Sequence, residues 1–332
     1  MEQICHVSEL PNEVLYQDYF ANNQFVKQYL ENHCIYKTWW KGKGGAKYSD
    51  SSCSFVDTKD KTKEELRKDS IKTLRDIFGL EAGFEKRFDE STKNNILELR
   101  RINTLHSSSL IALLCFYKIR KEKDLSFTHD GIEFVLNECS FESKNKVGNG
   151  YSNIDIKLGG TANGEPAVLF LESKFSEYLT PGNYTDKSLR DEVYGELYRK
   201  LKDKQPLDVN FKKCVNEGRY YWTVLGKNHY CEGIKQMISH YLGINDYYLK
   251  NQEDNKTKVY LGEILFDFRP HLGKDEFCDY YSLYNQLYYK LNNLPDKNKN
   301  LIVLPNVLRY QDVFKKYKLD KSVHDFYGIG KK

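Results

Sequence analysis

Residues 167–175, Ala-Val-Leu-Phe-Leu-Glu-Ser-Lys-Phe, are apolar on both faces of an extended chain until a carboxylate and an ammonium appear near the end. Successive strand side chains point to opposite sides. Leu169 and Leu171 therefore share a face with Ser173, while Val168 and Phe170 share the other with Glu172 and Lys174. A strand of this kind must be covered by other layers on both sides. Glu172 and Lys174 are then expensive to place unless they pair with each other or bind an ion. One short segment thus predicts a central strand and a candidate site.

A second strand precedes it. In residues 153–158 the period of two sends Ile154, Ile156 and Leu158 to one face and Asn153, Asp155 and Lys157 to the other, so Asp155 is expected to point away from the packed side. Residues 159–166 carry Asn163-Gly164, a hairpin turn signal. An antiparallel hairpin brings Asp155 beside Glu172. Two adjacent carboxylates repel, and a divalent cation offsets that repulsion. Oxygen donors favour Mg²⁺ or Mn²⁺ over zinc.

The rest of the chain arranges itself around this hairpin. Helical spacing marks residues 13–40, 64–78 and 102–119, the last apolar on most faces, and residues 131–141 read as a further strand. Residues 176–228 are charged and tyrosine-rich, an insertion with two expected helices. A helix at 232–242 follows, with Gly243 expected as its C′ glycine. A strand at 259–268, an aromatic helix at 279–291 and a short strand at 301–304 complete the series. The expected organisation is a helical N-terminal region 1–95 with an exposed loop near 41–61, a core 96–270 carrying the insertion, and a C-terminal extension 271–332 of helix and strand.

The motif Asp155, sixteen intervening residues, then Glu172-Ser173-Lys174 resembles the D…(D/E)xK signature of the PD-(D/E)xK nuclease superfamily, with Ile154 standing where that signature often has proline. Gln236 and His240, at i and i+4 on one face of the 232–242 helix, are similar to the Qxxx(Y/H) helix found in several of its branches. The order helix, three strands, helix, strand also matches. The resemblance covers about residues 102–268 and implies a restriction-endonuclease-like αβββαβ core, with a mixed central sheet flanked by helices and added helical elements at the N-terminus and in the insertion. It implies hydrolysis of phosphodiester bonds in nucleic acid, DNA foremost, with Asp155, Glu172 and the Ser173 carbonyl holding Mg²⁺ or Mn²⁺. Lys174 would act on the attacking water or the phosphate, and Gln236 and His240 would position a water, the phosphate or the ligands themselves. A further carboxylate is expected from Glu142, ahead of Glu138 or Glu98. The alternative implied by the same fold is a nucleic-acid-binding or complex-assembly protein with vestigial carboxylates. Cutting both strands of a duplex would call for a homodimer.

Other function classes fit poorly. Residues 42–47 lack the Gly-Lys-Ser/Thr end of a phosphate-binding loop. His106 with Ser107, Ser108 and Ser109 has no GxSxG elbow, and these residues read as helix packing. The eight cysteines show no CxxC or CxxH spacing for zinc. With 51 basic against 47 acidic residues the charge permits a nucleic-acid partner without demanding one. No signal segment and no long apolar run are visible, so a cytoplasmic location without membrane contact is expected.

Overall fold

The computed structural model describes residues 55–56, 58, 60–93, 95–104, 107–147, 150–175, 209–214, 219–224, 232–252, 256–267, 277–294 and 297–330. The helices expected over 13–40, and most of the loop near 41–61 and of the insertion at 176–228, lie outside these residues.

Four strands run antiparallel in chain order: β1 (Leu125–His129), β2 (Ile132–Val147), β3 (Gly150–Ala162) and β4 (Glu165–Lys174). β5 (Val209–Cys214) and β6 (Arg219–Val224) form a separate two-stranded sheet, so the described part of the expected helical insertion is a hairpin. β7 (Lys258–Leu265) then lies parallel to β4, and β8 (Leu301–Val303) and β9 (Leu308–Arg309) both pair parallel with β7. The central sheet is therefore mixed and seven-stranded, with β4 in its interior as the double apolar face requires.

Helices cover both faces. On one side lie α1 (Lys63–Phe78), α2 (Phe84–Thr92), α3 (Ile96–Ile102) and α4 (Ser108–Phe116), together with the C-terminal α7 (Tyr310–Val313) and α8 (Lys321–Tyr327). On the other lie α5 (Glu232–Leu242) and α6 (Phe277–Asn292). β4 feeds Leu169 and Leu171 into the first core and Phe170 into the second. Each such fully buried side chain contributes about 1.5–3 kcal/mol relative to exposure. The order α4, β2, β3, β4, α5, β7 is the αβββαβ order that the resemblance implies.

Three expectations need correction. The helix expected over 102–119 is shorter, α4 alone, and residue 102 instead ends the preceding α3. Asn103 ends α3, its side chain donating to Leu99 O at 2.6 Å and Ser70 Oγ at 2.7 Å. Ser107 then caps α4 by accepting the Leu110 N–H at 3.1 Å. Short polar side chains offer the backbone partners that the helix would otherwise supply. Secondly, β1 is an additional strand. Its turn to β2 is Asp130-Gly131, with φ of 49° and 77°, a pair of left-handed residues suited to a tight hairpin. Thirdly, Gly243 is not a left-handed cap after α5. The chain widens there into a π-helix, Gly243–Tyr248. A Cβ on Gly243 would stand 2.9 Å from Asn145 Cβ and 3.1 Å from Val147 Cγ2, so the glycine permits this turn to press against β2.

The β2–β3 pairing slips by one residue between Leu136 and Glu138, a bulge at Asn137. Opposite it, a Cβ on Gly160 would meet Val135 O at 2.2 Å and Leu136 Cα at 2.8 Å, both backbone atoms. On neighbouring Gly159 it would meet the flexible end of Glu138 at 3.0 Å. Gly160→Ala is therefore expected to destabilise the protein by about 2 kcal/mol or more in urea unfolding, and Gly159→Ala by about 1 kcal/mol or less. Equal losses would show that the bulge does not demand a glycine.

Candidate active site

The site lies where β3 leaves β4. Their ladder ends at Ile156–Leu171, and one more step in register would set Asp155 against Glu172. Instead Asp155 Oδ2 accepts the Ser173 N–H at 2.8 Å, taking the place of a strand partner. The face assignment read from alternation fails here. Ile156 and Leu158 belong to the core under α1–α4, whereas Ile154 belongs to the core under α5. β2 changes sides at the same level, with Phe141 in the first core and Val147 in the second. Between Phe141 and Ser143, whose partners are Ile156 and Ile154, sits Glu142 with a φ of 54°. A left-handed residue in mid-strand costs about 1–3 kcal/mol and reverses the local alternation. Asp155, half-buried at this reversal, turns its carboxylate along the sheet toward β4 and away from neither core.

Glu172 is 2 % exposed, and both its oxygens are engaged. Lys174 Nζ donates to Oε1 at 2.7 Å, and His240 Nε2 meets Oε2 at 2.8 Å. Lys174 Nζ also donates to Gln236 Oε1 at 2.8 Å. The strand pair two residues apart thus meets the helix pair four residues apart. Ser173, on the opposite face, hydrogen-bonds Ser108 O at 3.0 Å and Tyr310 Oη at 2.8 Å, which fixes the strand from behind. Asp155, Glu172, Ser173, Lys174, Gln236 and His240 are all brought together.

Glu142 joins them. Its register position faces Asp155, and the charges of Glu172 and Asp155 are close enough to interact with its own. Glu138 is exposed beside Gly159, next to the bulge and four residues before Glu142, and is not among the groups brought together. Glu98 pairs with Arg101 at 3.0 Å on α3 and acts on Glu142 only through its charge. Two contributors carry no sequence signal. Ser152 Oγ lies 2.5 Å from His240 Nδ1, so it holds the ring whose other nitrogen holds Glu172. Lys93, the left-handed cap residue of α2, reaches Glu142 Oε2 at 2.5 Å.

The electrostatics divide the carboxylates. Burial would raise Glu172, but Lys174 and His240 outweigh it and bring its pKa down to about 2. Burial pushes the Asp155 carboxyl well above its ordinary range, and the negative charges of Glu172 and Glu142 push it further. Burial likewise raises Glu142, against the pull of Lys93. Negative potential in excess of its compensation, lined by oxygen donors, is chemistry that fits a hard divalent cation. Among the described residues, however, no group of three or more His, Cys, Asp and Glu side chains is arranged to hold a metal ion. Glu172 would have to share an oxygen now given to Lys174 or His240.

These opposite shifts predict opposite mutants. A raised carboxyl favours folding below its ordinary pKa and loses that contribution as pH rises through the folded value. Asp155→Asn is therefore expected to raise the thermal midpoint of the metal-free protein at pH 7, the gain vanishing as pH falls below about 3.8. A lowered carboxyl contributes above its ordinary pKa and loses that contribution as pH falls through the folded value. Glu172→Gln should lower the midpoint at pH 7, the deficit closing between pH 4.5 and about 2. Calorimetric scans in chelator across that range check both, and shifts of the same sign would contradict them.

The chain matches the family described as restriction endonuclease associating with ARP over residues 37–261. That span is well over half of the chain and holds every residue placed in the site. Neither a curated protein nor a solved structure matches it. Among the described residues no helix is long and apolar enough to cross a membrane. Because the match spans well over half of its length, the chain belongs to the family of restriction endonucleases associating with ARP.

Proposed function

We propose that the protein is a Mg²⁺- or Mn²⁺-dependent nuclease of the PD-(D/E)xK type that hydrolyses phosphodiester bonds in DNA. The observation that carries this reading is Lys174, whose ammonium is held between Glu172 and Gln236 at the point where Asp155 leaves the β3–β4 ladder. Asp155, Glu172, Glu142 and the Ser173 carbonyl would hold the ion, which when bound offsets charge developing on the phosphate and makes water more acidic. The Ser173 N–H faces Asp155, and the N–H and C=O of one strand residue point to the same edge, so that carbonyl is directed to the same gap.

The chain's own groups do the rest. Lys174 presents a positive charge to the phosphate or orients the attacking water, and two hydrogen bonds hold its Nζ in place. His240 fixes Glu172 through Nε2 and is itself fixed by Ser152. Gln236 keeps Lys174 from collapsing wholly onto Glu172. A single site of this kind cuts one strand, so cleavage of a duplex would use two copies of the chain.

Lys174→Ala is expected to reduce Mg²⁺-dependent cleavage of duplex DNA by about 10²-fold or more, with an unchanged circular dichroism spectrum. Undiminished cleavage would refute the assignment. Asp155→Asn should also weaken Mn²⁺ binding in titration calorimetry. A second reading, a nucleic-acid-binding or complex-assembly protein without catalysis, is favoured by the commitment of both Glu172 oxygens to Lys174 and His240. DNA binding with no cleavage in either Mg²⁺ or Mn²⁺ would decide for it.

A further inference from the structure

The β2–β3 hairpin runs on past the fork. Beyond Glu142 and Asp155 it pairs Ser143 with Ile154, Lys144 with Asn153, Asn145 with Ser152, Lys146 with Tyr151 and Val147 with Gly150. One face of this extension is buried: Asn145, Val147 and Ser152 are the side chains that Gly243 approaches, and Ile154 sits in the core under α5. The alternate residues Lys144, Lys146, Tyr151 and Asn153 make up the other face and are exposed, Tyr151 by 63 %.

Several cations of this molecule meet carboxylates. Arg67 meets Asp89, Arg75 meets Glu85, and Lys118 meets both Glu81 and Asp320. Among the described residues Lys144 and Lys146 meet no carboxylate. They stand side by side on one strand face, so each repels the other. Tyr151 is a large ring left in water directly across from Lys146. No local interaction accounts for keeping two bare lysines and an uncovered ring together.

The position of the strip accounts for it. Lys144 lies two residues and Lys146 four residues from Glu142. Successive same-face residues are about 7 Å apart, the axial advance of about two phosphates along one strand of a duplex. At the inner end of the strip Lys93 reaches Glu142 from α2 and offsets its charge, so the strip meets the site at a compensated carboxylate. Ammonium groups attract phosphates, asparagine hydrogen-bonds phosphate or sugar oxygens, and an exposed ring can lie against a base.

We propose that this face of the hairpin, Lys144, Lys146, Tyr151 and Asn153, is the surface along which a DNA strand is led to the fork at Glu142 and Asp155. The proposal rests on the nuclease reading for its direction, but it is tested by binding, which that reading does not need. Fluorescence anisotropy with a labelled DNA duplex, in chelator and over a range of salt, is carried out on the wild type, on K144A/K146A, on Y151A, and on K315A/K316A, whose lysines are also exposed.

K144A/K146A should bind about tenfold more weakly at 0.1 M salt, with the slope of log affinity against log salt reduced by about two. Y151A should weaken binding several-fold with the slope unchanged. K315A/K316A should match the wild type. Equal losses from both lysine pairs would mean general charge attraction only and would overturn the proposal, as would wild-type binding by K144A/K146A or no DNA binding by any form. If K144A/K146A loses affinity as expected while the wild type cleaves nothing, the strip stands and the nuclease reading falls. If Lys174→Ala abolishes cleavage while K144A/K146A binds normally, the reverse holds.

Discussion

A carboxylate buried in the central strand of a sheet must be compensated on the spot, and the neighbourhood of β4 is organised around compensating Glu172. Lys174 and Glu172 lie two residues apart on one face of the strand, about 7 Å along it. Gln236 and His240 lie four residues apart on α5, about 6 Å along the helix. The two repeats nearly coincide, so one helix can meet both groups. Lys174 meets Gln236 and Glu172 meets His240, which requires α5 to run opposite to β4. A helix turned by one residue would offer Met237 and Tyr241 instead, both now buried in the second core. Fixing the helix in turn fixes the hairpin beneath it, because Ser152 holds His240 and Gly243 admits β2 at contact distance.

Asp155 and Glu142 present the opposite case. Around Glu172 the positive partners prevail, whereas around Asp155 burial and like charge do. The fold tolerates this because the strands are already irregular there. Glu142 is left-handed, β3 parts from β4, and both β2 and β3 exchange the cores they face. Lys93 relieves Glu142 in part. A position that would be more stable with a neutral side chain, kept at a fork held open by backbone strain, is the pattern in which stability gives way to function.

Sequence periodicity made the centre of this arrangement legible and left its edges obscure. The double apolar face of residues 167–175 could only be an interior strand, the i, i+4 spacing put Gln236 and His240 on one helix face, and the resemblance turned that face toward the strand. Alternation could not reveal the reversal at Asp155, since period-two reasoning assumes a regular strand and the residue that breaks it, Glu142, is on another strand. Ser152 and Lys93 were invisible for a related reason. Their roles depend on contacts across 88 residues and between α2 and β2, and neither residue type marks a site. The tight turn at Asp130-Gly131 was different: its signal was present, and it was absorbed into the strand that follows it. Ser107 and Asn103 were likewise legible as caps within a run whose apolar content hid the break.

The parallel pairing of β4 with β7 has a topological consequence for the site. Parallel neighbours need a crossover, and here α5 supplies it. The chain therefore leaves the sheet at Lys174, one of the site's residues, and returns by way of Gln236 and His240, two others. The crossover, which includes the hairpin of β5 and β6, thus begins and ends at residues of the candidate site, while the register of β4 against β7 is set by the strands themselves. A change of length in that crossover need not alter the register of β4 against β7, and both of its ends lie at the candidate site. A fold built this way can change what approaches its site while leaving unchanged the strand–helix contact that compensates Glu172.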